Sequence, residues 1–572
     1  MITRSGVRQR TGILVDLTVV ALAAALLYGV LRIVRNWGAP IETQAEIHLS
    51  LWALPGYTFL SFLRGFLAYG ISLFFSLSYG YLATHVRRAE KVMVPLLDIL
   101  QSIPVLGFLP GTVLALMTLF PHRNAGLELA SILMIFTSQV WNMTFSFYQS
   151  VRSIPAPLRE VSSLYRFSWL QRFFCVELPA SAVGLAWNSM MSMAGGWFFL
   201  MVCEAFTLGD RQFRLPGLGS YMSVAIAQRN LPAILSGAFA MILMIVVVDT
   251  FLWQPVIVWV QKFRLDETSS GHSERSVLLD WFRGSQLMHG AKKRWNRILA
   301  WRFDPTWGWL GRGASFPFKG DSAAKVWRGI EGLGLGALGL VGLWGFWHLA
   351  HLVSVLPTNE WVRVMKDTAF TLVRVFSAVG LGVAWALPVG IWIGRSDARR
   401  RWLQPLVQVA ASFPAPMIYP LIFLLLRRFG VSLELGAVIL MLLGTQWYIL
   451  FNVIAGASSV PEDLREASEA YHFTPWQRWS RLWFPATFPF LVTGCLTAAG
   501  GAWNASIVAE YLSVGEKVQM ATGLGSLISV AASQARYDLL TAGVLAMTLT
   551  VVLVNRFLWK PLYRIAERKF AY

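Results

Sequence analysis

Apolar runs of about 20 residues recur along the chain, separated by short polar stretches rich in Arg, Pro and Gly. A run of that length laid as a helix crosses a hydrocarbon core of about 30 Å. In lipid the backbone must bond to itself, which a helix does. The pattern predicts twelve spans. In the first half they fall at about 12–34, 57–85, 93–119, 127–150, 178–203 and 232–260. In the second they fall at about 330–354, 364–394, 403–426, 433–456, 484–509 and 538–560. Pro104 and Pro110 stand inside the third span, so it should be kinked or broken there. The expected fold class is all-α and polytopic, with two parallel six-helix repeats.

The pattern also repeats in residues. Pro95, Pro104 and Pro110 recur as Pro405, Pro414 and Pro420 at an offset of 310. From Pro155 onward the offset is 306, and 11 of the 26 positions from Pro155 to Ala180 are identical to their counterparts. Trp197, Glu204 and Gly217-Leu-Gly-Ser220 recur as Trp503, Glu510 and Gly523-Leu-Gly-Ser526. An even number of spans per half points both halves the same way, with a pathway expected between them. The chain divides into a first span and outer loop (1–56), a first core (57–260), a linker (261–328), a seventh span with its outer loop (329–363) and a second core (364–572).

Composition agrees with a membrane protein: 56% hydrophobic and 14% charged residues, with a mean hydropathy of +0.54. The net charge of +19 does not imply nucleic acid, because the Lys and Arg residues sit in short runs beside spans, as cytoplasmic loops require. Arg4, Arg8 and Arg10 place the N-terminus in the cytoplasm, and Arg564, Arg568 and Lys569 place the C-terminus there. A bacterial inner membrane is the expected location. The first apolar run is too long for a signal-peptide core, so it reads as an uncleaved span. The linker carries 13 Lys/Arg and 6 Asp/Glu. It reads as a cytoplasmic tether with surface helices, or as a regulatory domain. The three cysteines, Cys175, Cys203 and Cys495, form neither a disulfide framework nor a zinc site, and the eight His residues have no ligand spacing.

The most informative stretch is polar and occurs twice, between spans four and five of each half. It runs Pro155-Ala-Pro-Leu-Arg-Glu160 to Tyr165-Arg-Phe167, and again Pro461-Glu-Asp-Leu-Arg-Glu466-Ala467 to Tyr471-His-Phe473. Each copy continues to a Leu/Phe-Pro-Ala before the next span. With Thr371-Leu-Val-Arg374, Phe413-Pro-Ala-Pro-Met-Ile-Tyr-Pro420, Trp476-Gln477 and Gly523-Leu-Gly525, it resembles type I ABC importer permeases of the nitrate/sulfonate/taurine/bicarbonate subfamily. The resemblance covers about 57–260 and 364–572, and implies two permease units fused in one chain. The family motif usually has Gly six residues after its Glu, where this chain has Arg166 and His472. Gly being a poor helix former, that exchange should cost a helix nothing. The second copy is the closer to the family form.

The resemblance implies that the repeated stretch docks ATPase subunits. The residues so assigned are Pro155, Leu158, Arg159, Glu160, Tyr165, Arg166, Gln171 and Arg172, then Pro461, Leu464, Arg465, Glu466, Ala467, Tyr471, His472, Gln477 and Arg478. No Gly-x-x-x-x-Gly-Lys-Ser/Thr loop occurs in the chain, so it has no phosphate cradle of its own and is not expected to be an enzyme. ATP and Mg would belong to two partner ATPase subunits, with no cofactor in this chain. An extracytoplasmic binding protein would deliver a small solute, expected to be an oxyanion.

Candidate pathway or gate residues are Gln101, Ser102, Asn188, Trp197 and Trp503, the prolines Pro104, Pro414 and Pro416, and the charged Arg64, Arg374, Glu204 and Glu510. Carboxylates in a span are costly unless paired or wet. Glu204 and Glu510 therefore either gate the path or close their span onto the Gly-Leu-Gly loop. Arg64 and Arg374 either draw anions into a vestibule or pack and snorkel. An ion-coupled secondary transporter is the rival function. Gly390 to Arg401 resembles a loop of the major facilitator family, although its first-half counterpart keeps little of it, and no proton-relay series accompanies it. A non-transporting scaffold would have no use for broken spans.

Overall fold

In the computed structural model, residues 46–263 and 347–570 are described apart from 122, 166, 209–210 and 515–516, together with 37, 294, 340 and 343–345. The expected first span, nearly all of the linker, most of the seventh span and Arg166 lie outside the described residues.

Both halves repeat one order of elements. The first contains α1 (Leu54–His85), α2 (Arg87–Ser102), α3 (Leu109–Leu119), α4 (Ala125–Arg152), α5 (Ala156–Leu164), α6 (Trp169–Arg172) and α7 (Leu178–Glu204). A hairpin of β1 (Ala205–Leu208) and β2 (Arg211–Arg214) follows, then α8 (Leu218–Ala227), α9 (Leu231–Val248) and α10 (Gln254–Val260). The second half contains α11 (Thr358–Gly394), α12 (Asp397–Ser412), α13 (Tyr419–Arg428), α14 (Leu433–Ser458), α15 (Glu462–Ala470), α16 (Pro475–Arg478) and α17 (Phe484–Ala509). It ends with β3 (Tyr511–Val514), β4 (Lys517–Met520), α18 (Leu524–Ser533), α19 (Tyr537–Val554) and α20 (Lys560–Phe570). Among the described residues, six helical stretches are long and apolar enough to cross a membrane by length and composition, two in the first half and four in the second. α4 and α7 match α14 and α17 in length and place.

Within each half the main layer is three helices, with α4 packed between α1 and α7, and α14 between α11 and α17. Contacts between halves come in reciprocal pairs. α7 meets the broken third span of the second half, and α17 meets that of the first; α9 meets α12, and α19 meets α2. Each half thus completes the other's core, as a pseudo-two-fold axis requires.

The third spans break where proline predicts. α2 ends at Ser102, Ile103 and Pro104 are extended (ψ 129° and 105°), and a 3-10 turn Val105–Phe108 leads into α3. The second half matches: Phe413 and Pro414 are extended (ψ 126° and 103°) before a turn at Ala415–Met417. Pro lacks an N–H and forces the preceding residue out of the helical region. Pro110 and Pro420 sit instead in the first turns of α3 and α13, where no N–H is needed.

Three features escape hydropathy. Antiparallel hairpins follow α7 and α17, with Phe206 opposite Phe213 and Leu512 opposite Gln519. The short helices α8 and α18 pack against the hairpin ends. π-helical turns at Phe173–Glu177, Trp479–Trp483, Asp249–Trp253 and Asn555–Trp559 fall at matched positions of the two halves. π-turns are rare and concentrate at functional segments.

The expectation for His472 needs correction. It lies beyond α15, with φ +49°. Its N–H donates to Glu469 O at 2.9 Å, and Phe473 N–H donates to Ser468 O at 3.0 Å. This is a Schellman ending, whose left-handed position favours Gly. Helix propensity is therefore the wrong measure, and His here is strained. Phe167 N–H likewise donates to Ser162 O at 3.0 Å in the first half. His472→Gly should raise unfolding stability by about 1 kcal/mol, read as a higher melting temperature in detergent, whereas His472→Val should lower it.

Candidate functional site

At the end of each half remote from α5 and α15, one arginine closes a cluster of buried charge. The Arg64 Nε lies 2.6 Å from Glu128 Oε2, and its Nη1 lies 2.6 Å from Glu204 Oε1. Arg64 and Glu204 are 0% exposed and Glu128 2%. Ser61 Oγ donates to Glu204 Oε1 at 2.7 Å and accepts from Leu218 N–H at 2.8 Å. Gly219 N–H donates to Glu204 Oε2 at 2.7 Å, and Arg64 Nη2 donates to Pro216 O at 2.8 Å. The hairpin makes this possible by returning to its start, where Leu215 N–H donates to Glu204 O at 2.9 Å.

The second half builds the same cluster. Arg374 Nη1 lies 2.9 Å from Glu510 Oε1 and donates to Thr522 O at 2.7 Å, and Arg374 Nη2 pairs with Glu434. Thr371 Oγ1 takes the place of Ser61, donating to Glu510 Oε1 at 2.9 Å and accepting from Leu524 N–H at 2.8 Å. Glu434 also accepts from Thr522 N–H at 2.9 Å.

This geometry explains Gly-Leu-Gly. A Cβ on Gly217 or Gly523 would come within 2.3 Å of the Glu204 or Glu510 carboxylate. One on Gly525 would lie 2.4 Å from Ser506 O. Arg64 and Arg374 neither snorkel nor face a vestibule, and Glu204 and Glu510 are not free gate groups. All four lock a span to its loop.

A cavity of ≈ 240 Å³ lies between the halves. α4 contributes Thr137, Ser138, Trp141 and Asn142, α7 contributes Phe198, and the first break contributes Gln101 and Val105. The second half supplies Gln408, Ala415, Trp447, Tyr448, Thr497, Trp503 and Asn504. Its wall is mostly aliphatic and aromatic, with neutral amides and hydroxyls set into it and, among the described residues, no Asp, Glu, Lys or Arg. Pro104 and Pro414 do not line it; the breaks they cause bring Ile103, Val105, Phe413 and Ala415 to its wall. Pro416 sits in the second break's turn, and Ser102 is the last residue of α2. Trp197 is core, packed on Gly65, where a Cβ would lie 2.8 Å from its ring. Asn188 lies outside this cavity, in a groove of ≈ 440 Å³ that shares Asn142 with it.

At the other end, α5 and α15 are short exposed helices. Glu160 and Glu466 are exposed, as are Pro155, Leu158, Arg159, Tyr165, Pro461 and Tyr471. Other sequence-predicted contacts are committed within the chain. Gln171 and Gln477 each close a capping box, accepting from Ser168 N–H at 2.8 Å and from Thr474 N–H at 2.9 Å. The Arg465 guanidinium lies 5.4 Å over the Trp483 ring and donates to Ala457 O at 3.3 Å. Leu464 and Ala467 are half-buried. Arg172 Nε lies 2.7 Å from buried Glu177, which also lies 2.9 Å from His85 Nε2 at the end of α1. In the second half Arg395 and Trp483 occupy those two places, and Arg478 lies 3.6 Å from Glu469. Among the described residues no three His, Cys, Asp or Glu side chains gather as a metal site needs.

The family model for the binding-protein-dependent transport system inner membrane component matches residues 72–252 and again 386–570. The chain belongs to this family. The two matches are the two repeats, so it holds two units of the inner membrane component in one polypeptide. Relatives include a putative ABC transporter permease protein of Methanocaldococcus jannaschii, 27% identical over 35% of this chain and 74% of its own length. Another is the nitrate import permease protein NrtB of Synechocystis, 26% identical over 33% of this chain and 65% of its own. A third is the taurine transport system permease protein TauC of Escherichia coli, 25% identical over 33% and 64%. Others are named for glycine betaine/proline betaine and carnitine transport. The chain spans between about half and four fifths of the length of these relatives. These findings support a type I ABC importer permease of the nitrate/taurine type.

Sequence reasoning missed Glu128 and Glu434, although they repeat at the same offset of 306 as Glu204 and Glu510. It also missed Asn142, Gln408 and Asn504, single polar residues with no motif around them. Arg64→Ala leaves Glu128 and Glu204 as uncompensated buried charges and should cost about 3–5 kcal/mol. Arg374→Ala should cost less, because the Glu434 side chain is 47% exposed and can hydrate. Thermal unfolding of the two purified variants checks the order.

Proposed function

We propose that this chain is the fused double permease subunit of an ATP-driven importer. The carrying observation is the paired arrangement: one exposed α5-type helix per half at one end of the molecule, and a cavity with neutral polar groups in its wall between the halves. Two ATPase subunits dock on α5–α6 and α15–α16 from the cytoplasm, each taking Glu160 or Glu466 and the exposed Tyr165 or Tyr471. A lever must be rigid to pass force. The capping boxes, the π-turns leading into α7 and α17, and the Glu177 and Trp483 contacts supply that rigidity. A binding protein delivers solute at the Gly-Leu-Gly end. The inner membrane is the location, with both termini cytoplasmic. ATP and Mg stay on the partner subunits. Family membership displaces the secondary-transporter reading.

For the solute we favour a small oxyanion of the nitrate, bicarbonate or sulfonate class. Relatives named for nitrate and taurine support it, and so do the neutral N–H donors of Gln101, Gln408 and Asn504. Neutral donors hold an anion loosely enough to release it. A second reading rests on the aromatic walls: Trp141, Trp447 and Tyr448 suit a quaternary ammonium group. Uptake into proteoliposomes carrying binding protein and ATPases should be competed by nitrate or taurine and not by glycine betaine. The opposite order would favour the second reading. Glu160→Arg combined with Glu466→Arg should abolish co-purification of the co-expressed ATPase subunits; retention of both subunits would overturn the docking assignment.

A further inference from the structure

In the first half a polar groove adjoins the central cavity at Asn142. From Asn142, a groove runs along α4 through Ser146, Gln149, Ser150 and Ser153, with Asn188 of α7 opposite. Residues spaced three and four apart share a helix face, so this is one polar stripe. Eleven residues of helix cover about 16 Å, which links the cavity to the α5 end of the molecule. Polar side chains at such depth face water or a path rather than lipid.

The second half carries the same helices with different residues between them. Gly494 stands where Asn188 is, and its Cβ position lies 3.0 Å from the Ile449 backbone, so α17 lies tight on α14. Phe490 stands where Gly184 is, and its ring fills the space over Gly456, 2.8 Å from that residue's Cβ position. The first half reverses both choices. Asn188 is large where Gly494 permits close approach. Gly184 leaves room for the Ser146 and Ser150 hydroxyls, 2.9 and 3.1 Å from its Cβ position. Tyr448 and Ala455 replace Asn142 and Gln149.

Building on the reading of the chain as a solute pathway, we propose that polar solute leaves the central cavity along the α4–α7 groove of the first half, while the equivalent α14–α17 groove is plugged by Phe490. The outlet offers amide and hydroxyl groups, so it suits a small hydrated solute and no apolar one.

Accessibility to a hydrophilic thiol reagent tests this without ATPase or solute. In full-length protein with Cys175→Ser, which leaves the buried Cys203 and Cys495, Ser146→Cys and Asn452→Cys are each treated with a trimethylammonium methanethiosulfonate in inside-out vesicles. Ser146→Cys should react about tenfold faster than Asn452→Cys. Gly184→Phe with Ser150→Gly, which copies the plugged half, should slow Ser146→Cys to the level of Asn452→Cys. The reverse exchange, Phe490→Gly with Gly456→Ser, should speed Asn452→Cys and keeps the test open if the first pair fails to fold. Equal rates at the two cysteines, or no response to either exchange, would overturn the one-sided outlet. Failure of the chain without substitutions to co-purify any co-expressed ATPase subunit would instead overturn the transporter reading.

Discussion

A guanidinium sealed between two carboxylates holds each half together. Arg64 joins α1, α4 and α7 at one point, because its partners Glu128 and Glu204 sit on α4 and at the end of α7. Burying three charges costs more than their attraction returns unless other dipoles help. Here a serine or threonine hydroxyl, a glycine N–H and loop carbonyls take up the remaining hydrogen-bonding groups. The hairpin, the Gly-Leu-Gly turn and the start of α8 or α18 are all placed by that need. Losing one partner would leave the others buried and unpaired, so the cluster makes the three-helix layer a unit rather than a loose bundle.

The two halves share this clamp and diverge elsewhere. At the α5 and α15 end, the first half ties α6 to α1 through Arg172, Glu177 and His85, whereas the second rests Arg465 on Trp483. Between the halves, Leu106 N–H lies 3.5 Å from Asn504 Oδ1. The matching place in the other half has Pro416, which has no N–H, and Phe198 in place of Asn504. At this place between the halves the polar contact is replaced by an apolar pair rather than left unsatisfied, which costs little where both partners change together.

Much of this was legible in the primary structure. Among the described residues hydropathy located the long helices within a few residues, since a hydrocarbon slab demands length and apolarity alone. Proline located the breaks of the third spans, because a missing N–H acts locally. The polar duplicate located α5 and α15, although their side chains divide between solvent and structure in a way that spacing does not reveal. Gln171 and Gln477 read as docking groups until their capping boxes appear. His472 read as harmless until its left-handed backbone appears.

The residues by themselves determined a duplicated helical membrane protein with a repeated polar stretch, because periodicity, proline and charge act over a few residues. Tertiary structure alone decided which charges are partners, which polar residues share a cavity, and which side chains fill the space between paired helices of each half. Those are matters of distance between segments some 60 to 140 residues apart. Glu128 carries no local sign of Arg64, and Gly184 carries none of the space that Phe490 fills in its counterpart.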